Sequence, residues 1–122
     1  MILADTSVWV DHFRKRDTEL YQQLRRNTIS IHPFVVMELV LGNLPDRKKT
    51  IPSLDRLPVV QVAQASEVRG MIEAHSLFGR GIGFVDAHLI AASFITAHTV
   101  LWTRDKHLRK IAETLGLAAD LS

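Results

Sequence analysis

The sequence contains no cysteine, which excludes both a disulfide framework and a metal site built from thiolates. It has no apolar run long enough to cross a bilayer, so we expect no association with a membrane. No basic stretch precedes the first apolar run, so we predict no signal peptide. Together these features predict a cytoplasmic protein.

The composition is that of a globular protein, with 47% hydrophobic residues in a chain of 122. This length predicts one domain spanning residues 1–122. Fifteen Lys and Arg residues stand against thirteen Asp and Glu residues, a slight basic excess that hints at an anionic partner.

The stretch Ile2–Val10 organises the rest of the chain. It is apolar except for Asp5, which Thr6 and Ser7 follow at once, as expected for a buried strand that ends where a helix begins. Asp5 is therefore predicted at the carboxyl end of a first, central strand, the edge at which open α/β sheets bind ligands. Taken alone, Asp5 or Thr6 could equally be a helix cap.

Strands and helices are predicted to alternate along the chain. Besides the first strand, we expect strands at 28–32, 59–62 and 99–103, and an edge strand at 117–121. Helices are predicted at 6–15, 17–26, 33–41, 64–77, 84–98 and 108–115, with a short helix inside the polar segment 43–58. Such alternation predicts an α/β fold with a parallel sheet and right-handed crossovers.

Four acids stand out in the sequence, and three of them, Asp5, Glu38 and Asp86, have no Lys or Arg within four positions. Glu38 and Asp86 lie within apolar helices, and Asp105 follows a strand in the same way as Asp5. Burying an ionised carboxylate without compensation costs several kcal/mol, and a helix amino terminus offsets only about 0.3–1 kcal/mol. A strong positive charge is therefore expected among these acids.

That charge could come from basic side chains such as Arg80 and Lys106, or from a divalent metal ion. Carboxylate, hydroxyl and water ligands suit Mg²⁺ or Mn²⁺, and Mg²⁺ in proteins commonly binds substrate phosphates as well. An acidic site of this kind predicts phosphoryl chemistry. The number of ions, one or two, stays open.

The motifs Asp5-Thr6-Ser7, Glu38, Gly83-x-x-Asp86-Ala87 and Thr103-x-Asp105 resemble those of the PIN-domain ribonucleases. The likeness is greatest to the VapC-type toxins of toxin–antitoxin pairs. It covers nearly the whole chain and implies a three-layer α/β/α sandwich with a central parallel sheet of about five strands. It also implies Mg²⁺- or Mn²⁺-dependent cleavage of RNA, homodimers, and inhibition by a cognate antitoxin that pushes an arginine toward the acids.

On this hypothesis Asp5, Asp86 and Asp105 hold metal, and Glu38 completes the site directly or through water. The hydroxyls of Thr6, Ser7 and Thr103 orient the carboxylates or the phosphate, although helix capping would explain them equally well. The substrate is expected to be structured RNA such as tRNA or rRNA.

Basic residues are expected to contact the RNA, and Arg80 and Lys106 are the strongest candidates because they flank Asp86 and Asp105 in sequence. The remaining candidates are Arg14, Lys15, Arg16, Arg25, Arg26, Arg47, Lys48, Lys49, Arg104 and Arg109.

Two other functions were weighed. A phosphatase with an aspartyl nucleophile usually carries a second Asp two residues after the first, and Ser7 occupies that position here. A non-catalytic PIN-like module that binds RNA or protein would keep the acids for stability or docking, and the complete set of four acids argues against it.

Overall fold

The computed structural model describes all 122 residues of the chain. Its sheet has three parallel strands in the order β2-β1-β3, with bounds Ile2–Ala4 (β1), Ile29–Ser30 (β2) and Val100–Trp102 (β3). The register pairs Ile2 with Ile29 on one side of β1 and with Val100 on the other. The first strand is therefore central, as predicted.

Seven helices connect and cover these strands. Their bounds are Thr6–Arg14 (α1), Thr18–Arg25 (α2), Pro33–Leu41 (α3), Arg47–Asp55 (α4), Ala65–Ala74 (α5), Phe84–Ile95 (α6) and Lys106–Thr114 (α7). None of them is both long and apolar enough to span a lipid bilayer.

Two further segments lie beside the outer strands without forming strands themselves. Ile31 makes one parallel bridge to Val59, and Leu101 makes one to Ala118. The strands predicted at 59–62 and 117–121 are thus wrong as strands, but both segments lie at the edges of the sheet. At the first of them, Pro58 has no N–H with which to extend the ladder beyond Val59. Five chain segments in parallel order agree with the predicted α/β fold class.

The core forms where the apolar faces of the helices meet the sheet. Leu3, Val8, Leu89, Ile90 and Leu101 are buried completely or almost completely. Helix α6 presents buried residues without interruption from Ala87 to Ser93, because it packs against both β3 and α5.

Helix α6 ends at Ile95 rather than at the predicted His98. Thr96 has extended backbone angles, and its hydroxyl accepts a hydrogen bond from the N–H of Gln61 at 3.0 Å. His98 then takes a positive φ of 51°, which turns the chain toward β3. The three-residue difference reflects this turn, which the apolar composition of the segment does not disclose.

Candidate active site

Asp5 lies where β1 ends and α1 begins, and it is 6% exposed. Its Oδ1 accepts a hydrogen bond from the Thr6 N–H at 2.7 Å, so it is the N-cap of α1. Its Oδ2 accepts from the hydroxyl of Ser7 at 2.9 Å and from that of Thr103 at 2.7 Å. The capping role and the site role that the sequence left as alternatives are therefore compatible, and the carboxylate is held in one orientation.

Asp105 follows β3 just as Asp5 follows β1, and parallel neighbouring strands bring both to one edge of the sheet. Its Oδ1 accepts from the Leu108 N–H at 2.9 Å and caps α7. Its own N–H donates to the Thr103 hydroxyl at 3.1 Å. Thr103 thus links the two acids, because it accepts from the backbone of Asp105 and donates to Asp5.

Glu38 reaches this edge from the last two turns of α3, where its side chain is exposed. The hydroxyl of Thr6 donates to its Oε1 at 2.6 Å. Because Thr6 is the residue after Asp5, this hydrogen bond fixes Glu38 beside the end of the central strand.

Asp86 lies in the first turn of α6, where its Oδ2 accepts from the Gly83 N–H at 3.0 Å. Burial raises the pKa of its carboxyl group, and the negative charges of Asp5, Asp105 and Glu38 raise it further. Asp86 therefore lies within electrostatic range of all three other acids, and the four carboxylates share one site.

Three helices direct their amino termini toward these acids. Asp5 caps α1, Asp105 caps α7, and Asp86 lies in the first turn of α6. Each amino terminus favours a negative charge by about 0.3–1 kcal/mol, which lessens the repulsion among the acids without removing it. The site lies between β1 and β3, where the strand order changes direction, as ligand sites in open α/β sheets do.

No basic side chain forms an ion pair with any of the four acids. The ion pairs of this structure join Arg104 to Asp11 at 2.9 Å and to Asp17 at 2.6 Å. Neither Arg80, which is half-buried, nor Lys106, which is exposed, is paired with a site carboxylate. In this structure, therefore, no basic side chain of the protein supplies the positive charge that the four acids require.

The donor set fits a hard divalent cation, since it consists of carboxylate and hydroxyl oxygens around an uncompensated negative charge. The acids nevertheless do not converge into a ready-made site, because no three Asp, Glu or His side chains lie close enough together to hold one ion. Magnesium needs only one or two carboxylates when water and substrate phosphates supply the other ligands. The arrangement therefore suits an ion that is shared with a phosphate-bearing substrate.

Arg104 binds other residues of the chain, which the sequence did not reveal. From the sequence it was expected to contact RNA. The guanidinium pairs with Asp11 and Asp17 and donates to the carbonyl of Ser122 at 3.0 Å. The Arg104 N–H also donates to the Ser7 hydroxyl at 3.1 Å, and that hydroxyl in turn donates to Asp5. The residues lie about 90 positions apart along the chain, so no local pattern could have shown this connection.

Comparison with known proteins agrees with this geometry. The family model described as the PIN domain matches residues 2–114 of the chain. The chain is also 37% identical over 118 residues to Ribonuclease VapC32 of Mycobacterium tuberculosis, strains CDC 1551 / Oshkosh and ATCC 25618 / H37Rv. That alignment covers 97% of this chain and 95% of the relative. The chain therefore belongs to the PIN-domain family, as a protein of the VapC type.

Proposed function

We propose that this protein is a metal-dependent endoribonuclease that hydrolyses phosphodiester bonds of RNA and acts as the toxin of a toxin–antitoxin pair. The observation that carries the proposal is the shared site of Asp5, Glu38, Asp86 and Asp105, which has no protein cation to balance it. The likeness to a relative named as a ribonuclease along 97% of the chain supports the same reaction class.

In this proposal Asp5, Asp86 and Asp105 hold Mg²⁺ or Mn²⁺, and Glu38 completes the site directly or through water. A bound divalent ion supplies a water of lowered pKa and stabilises negative charge on the phosphate. Thr103 and Ser7 orient the Oδ2 of Asp5, and Thr6 orients Glu38, while the acids draw together around the ion when it binds with the substrate.

Arg80 and Lys106 are proposed to contact RNA phosphates next to the site. Neither is committed to an acid within the chain, so both charges are free for an anionic ligand. We expect the substrate to be structured RNA, such as tRNA or rRNA, whose loops present unstacked bases and exposed phosphates.

We further propose that the protein acts in the cytoplasm, forms a homodimer and is inhibited by a cognate antitoxin. Large apolar side chains on the surface support such protein partners, since isolated monomers rarely expose many of them together. Leu41 is 86% exposed, Phe84 70% and Met37 60%.

The test is incubation of the purified protein with a structured RNA, with Mn²⁺, with Mg²⁺ and with a chelator. We expect cleavage only when a divalent ion is present, and none from the Asp5→Asn variant although it remains folded. An Asp55→Asn variant is the matched control, because Asp55 is an exposed acid at the end of α4. Undiminished cleavage after chelation, or neither cleavage nor metal binding, would contradict the proposal; the latter result would favour a non-catalytic binding module.

A further inference from the structure

Five exposed basic residues lie at the two ends of α2, three before its first residue and two at its last turn. They are Arg14, Lys15, Arg16, Arg25 and Arg26, and we call this set the basic tip. The proposed function does not use these residues in its chemistry, so their concentration in thirteen positions needs its own explanation.

Of the three acids within or next to the tip in sequence, Glu19 forms no ion pair with it and the other two are engaged elsewhere. Asp11 and Asp17 both pair with Arg104, at 2.9 Å and 2.6 Å. The hydrogen bond from Arg104 holds the pKa of Asp17 below its usual value, which keeps that carboxylate ionised and bound to its partner. The five basic side chains of the tip consequently have no ion-pair partner within the chain.

Tyr21 arranges two of these charges. The guanidinium carbon of Arg16 lies 3.7 Å from the centre of the Tyr21 ring, and that of Arg25 lies 5.9 Å from it. Attraction between each cation and the aromatic ring restrains both guanidiniums on the same surface. Less conformational entropy is then lost when the tip binds an anion.

One residue of the tip shares a cavity with one acid of the site. Arg14 and Glu38 both line a cavity of about 340 Å³ between α1 and the end of α3, together with Val10, Phe13 and Leu39. Helix α1 begins next to Asp5 and ends at Arg14, a distance of about 12 Å at 1.5 Å per residue. A strand with one phosphate at the acids could therefore reach the tip within a few nucleotides.

We propose that the basic tip is the docking surface for the phosphate backbone of the RNA that flanks the cleaved bond. The proposal rests on the proposed function, since it assigns the surface that holds the substrate of that reaction. An RNA backbone fits this surface better than a folded acidic protein does, because regularly spaced phosphates match paired guanidiniums and Arg14 shares a cavity with Glu38 of the acidic site.

The test compares two variants that each remove two positive charges. Arg16→Gln with Arg25→Gln removes the pair on Tyr21, whereas Arg56→Gln with Lys110→Gln removes two exposed charges outside the tip. Binding of an RNA hairpin is measured in a chelator, which prevents cleavage, at several salt concentrations. Thermal unfolding of both variants verifies that each is folded.

We expect the tip variant to bind the hairpin roughly tenfold more weakly than wild type in low salt. Its slope of log affinity against log salt should be smaller by about 1.4–1.8, the value for two lost phosphate contacts. The control variant should retain nearly the wild-type slope. In cleavage assays the tip variant should show an increased KM for the hairpin and an almost unchanged kcat.

Equal effects of the two variants would overturn the proposal, since only net charge would then matter. The proposal would also be overturned if wild-type protein bound polyglutamate more tightly than the hairpin. That result would favour an acidic protein partner. A different result would contradict the proposed function, namely that wild-type protein does not cleave the hairpin when Mn²⁺ is added.

Discussion

At the scale of single residues, Asp86 is the acid whose charge is least compensated. Its pKa is raised by burial and by the three neighbouring carboxylates, so ionised Asp86 destabilises the folded state. Asp86→Asn keeps an oxygen for the Gly83 N–H and removes the charge. We expect its melting temperature to rise in the absence of divalent ions, because the destabilising charge is removed.

The same variant should lose RNA cleavage, which separates stability from activity. Asp55→Asn, at an exposed position, is expected to leave both properties unchanged and can be measured by the same thermal scan. A lower melting temperature for Asp86→Asn than for Asp55→Asn would show that the charge of Asp86 is already balanced within the chain.

Thr103 joins two acids through one buried hydroxyl. Thr103→Val has a similar shape but leaves the Asp105 N–H without a partner and removes one donor from Asp5. We expect the free energy of unfolding to fall by about 1–3 kcal/mol in denaturant titrations, and RNA cleavage to fall with it.

Thr103→Ser retains the hydroxyl and should restore most of both properties. If Thr103→Val matched wild type in cleavage while Thr103→Ser did not, the hydroxyl would have no part in orienting the acids.

The sequence could show which acids are unusual, because Asp5, Glu38 and Asp86 lie beside apolar residues without a local cation and Asp105 follows a strand as Asp5 does. It could not show that Asp5 and Asp105 share Thr103, nor that Arg104 neutralises Asp11 and Asp17. These relations depend on contacts between residues that are distant along the chain, and local spacing carries no information about them.

At the scale of the elements, α3 depends on an unusual cap. His32 is fully buried, and its Nδ1 accepts a hydrogen bond from the Phe34 N–H at 2.9 Å. Burial, together with the charge of His88, lowers the pKa of His32 to about 4. His32 therefore takes up a proton near pH 6.5 in the unfolded chain, but only near pH 4 in the folded protein.

This difference predicts that stability falls as the pH is lowered from about 6.5 to about 4. His32 accounts for a loss of up to about 3 kcal/mol between neutral pH and pH 4, from 1.36 kcal/mol for each pKa unit, and for no change above pH 6.5. His32→Asn keeps an acceptor at the cap and should flatten the dependence of the unfolding free energy on pH across this window.

His98→Asn provides the control, because His98 is exposed and its positive φ suits asparagine. An equally steep pH dependence in His32→Asn and in wild type would rule out His32 as its source.

The elements that periodicity specifies strongly were predicted at nearly their observed positions, including the first strand and the apolar helix that begins at Phe84. The segments at 59–62 and 117–121 were overpredicted, since β-branched or apolar composition does not reveal that only one bridge forms. Composition likewise could not place the end of α6, where the Thr96 hydroxyl accepts a hydrogen bond from the Gln61 N–H.

At the scale of the whole molecule, the net charge is only +2, but the molecule has one acidic and one basic surface. The acidic site lies at the carboxyl edge of the sheet, and the basic tip begins about one helix length away, at the end of α1. Arg104 pairs with Asp11 and Asp17, so neither of these acids compensates the charge of the tip. A protein arranged in this way can attract a polyanion with one surface and hold a cation at the other.

The most direct test of the account is a titration of the purified protein with Mn²⁺, followed by the heat of binding or by the signal of free Mn²⁺. We predict that wild type and Asp55→Asn bind the ion and that Asp5→Asn binds it at least tenfold more weakly. Equal Mn²⁺ affinity in wild type and in Asp5→Asn, or no binding by wild type at millimolar Mn²⁺, would contradict the claim that these four acids form a metal site.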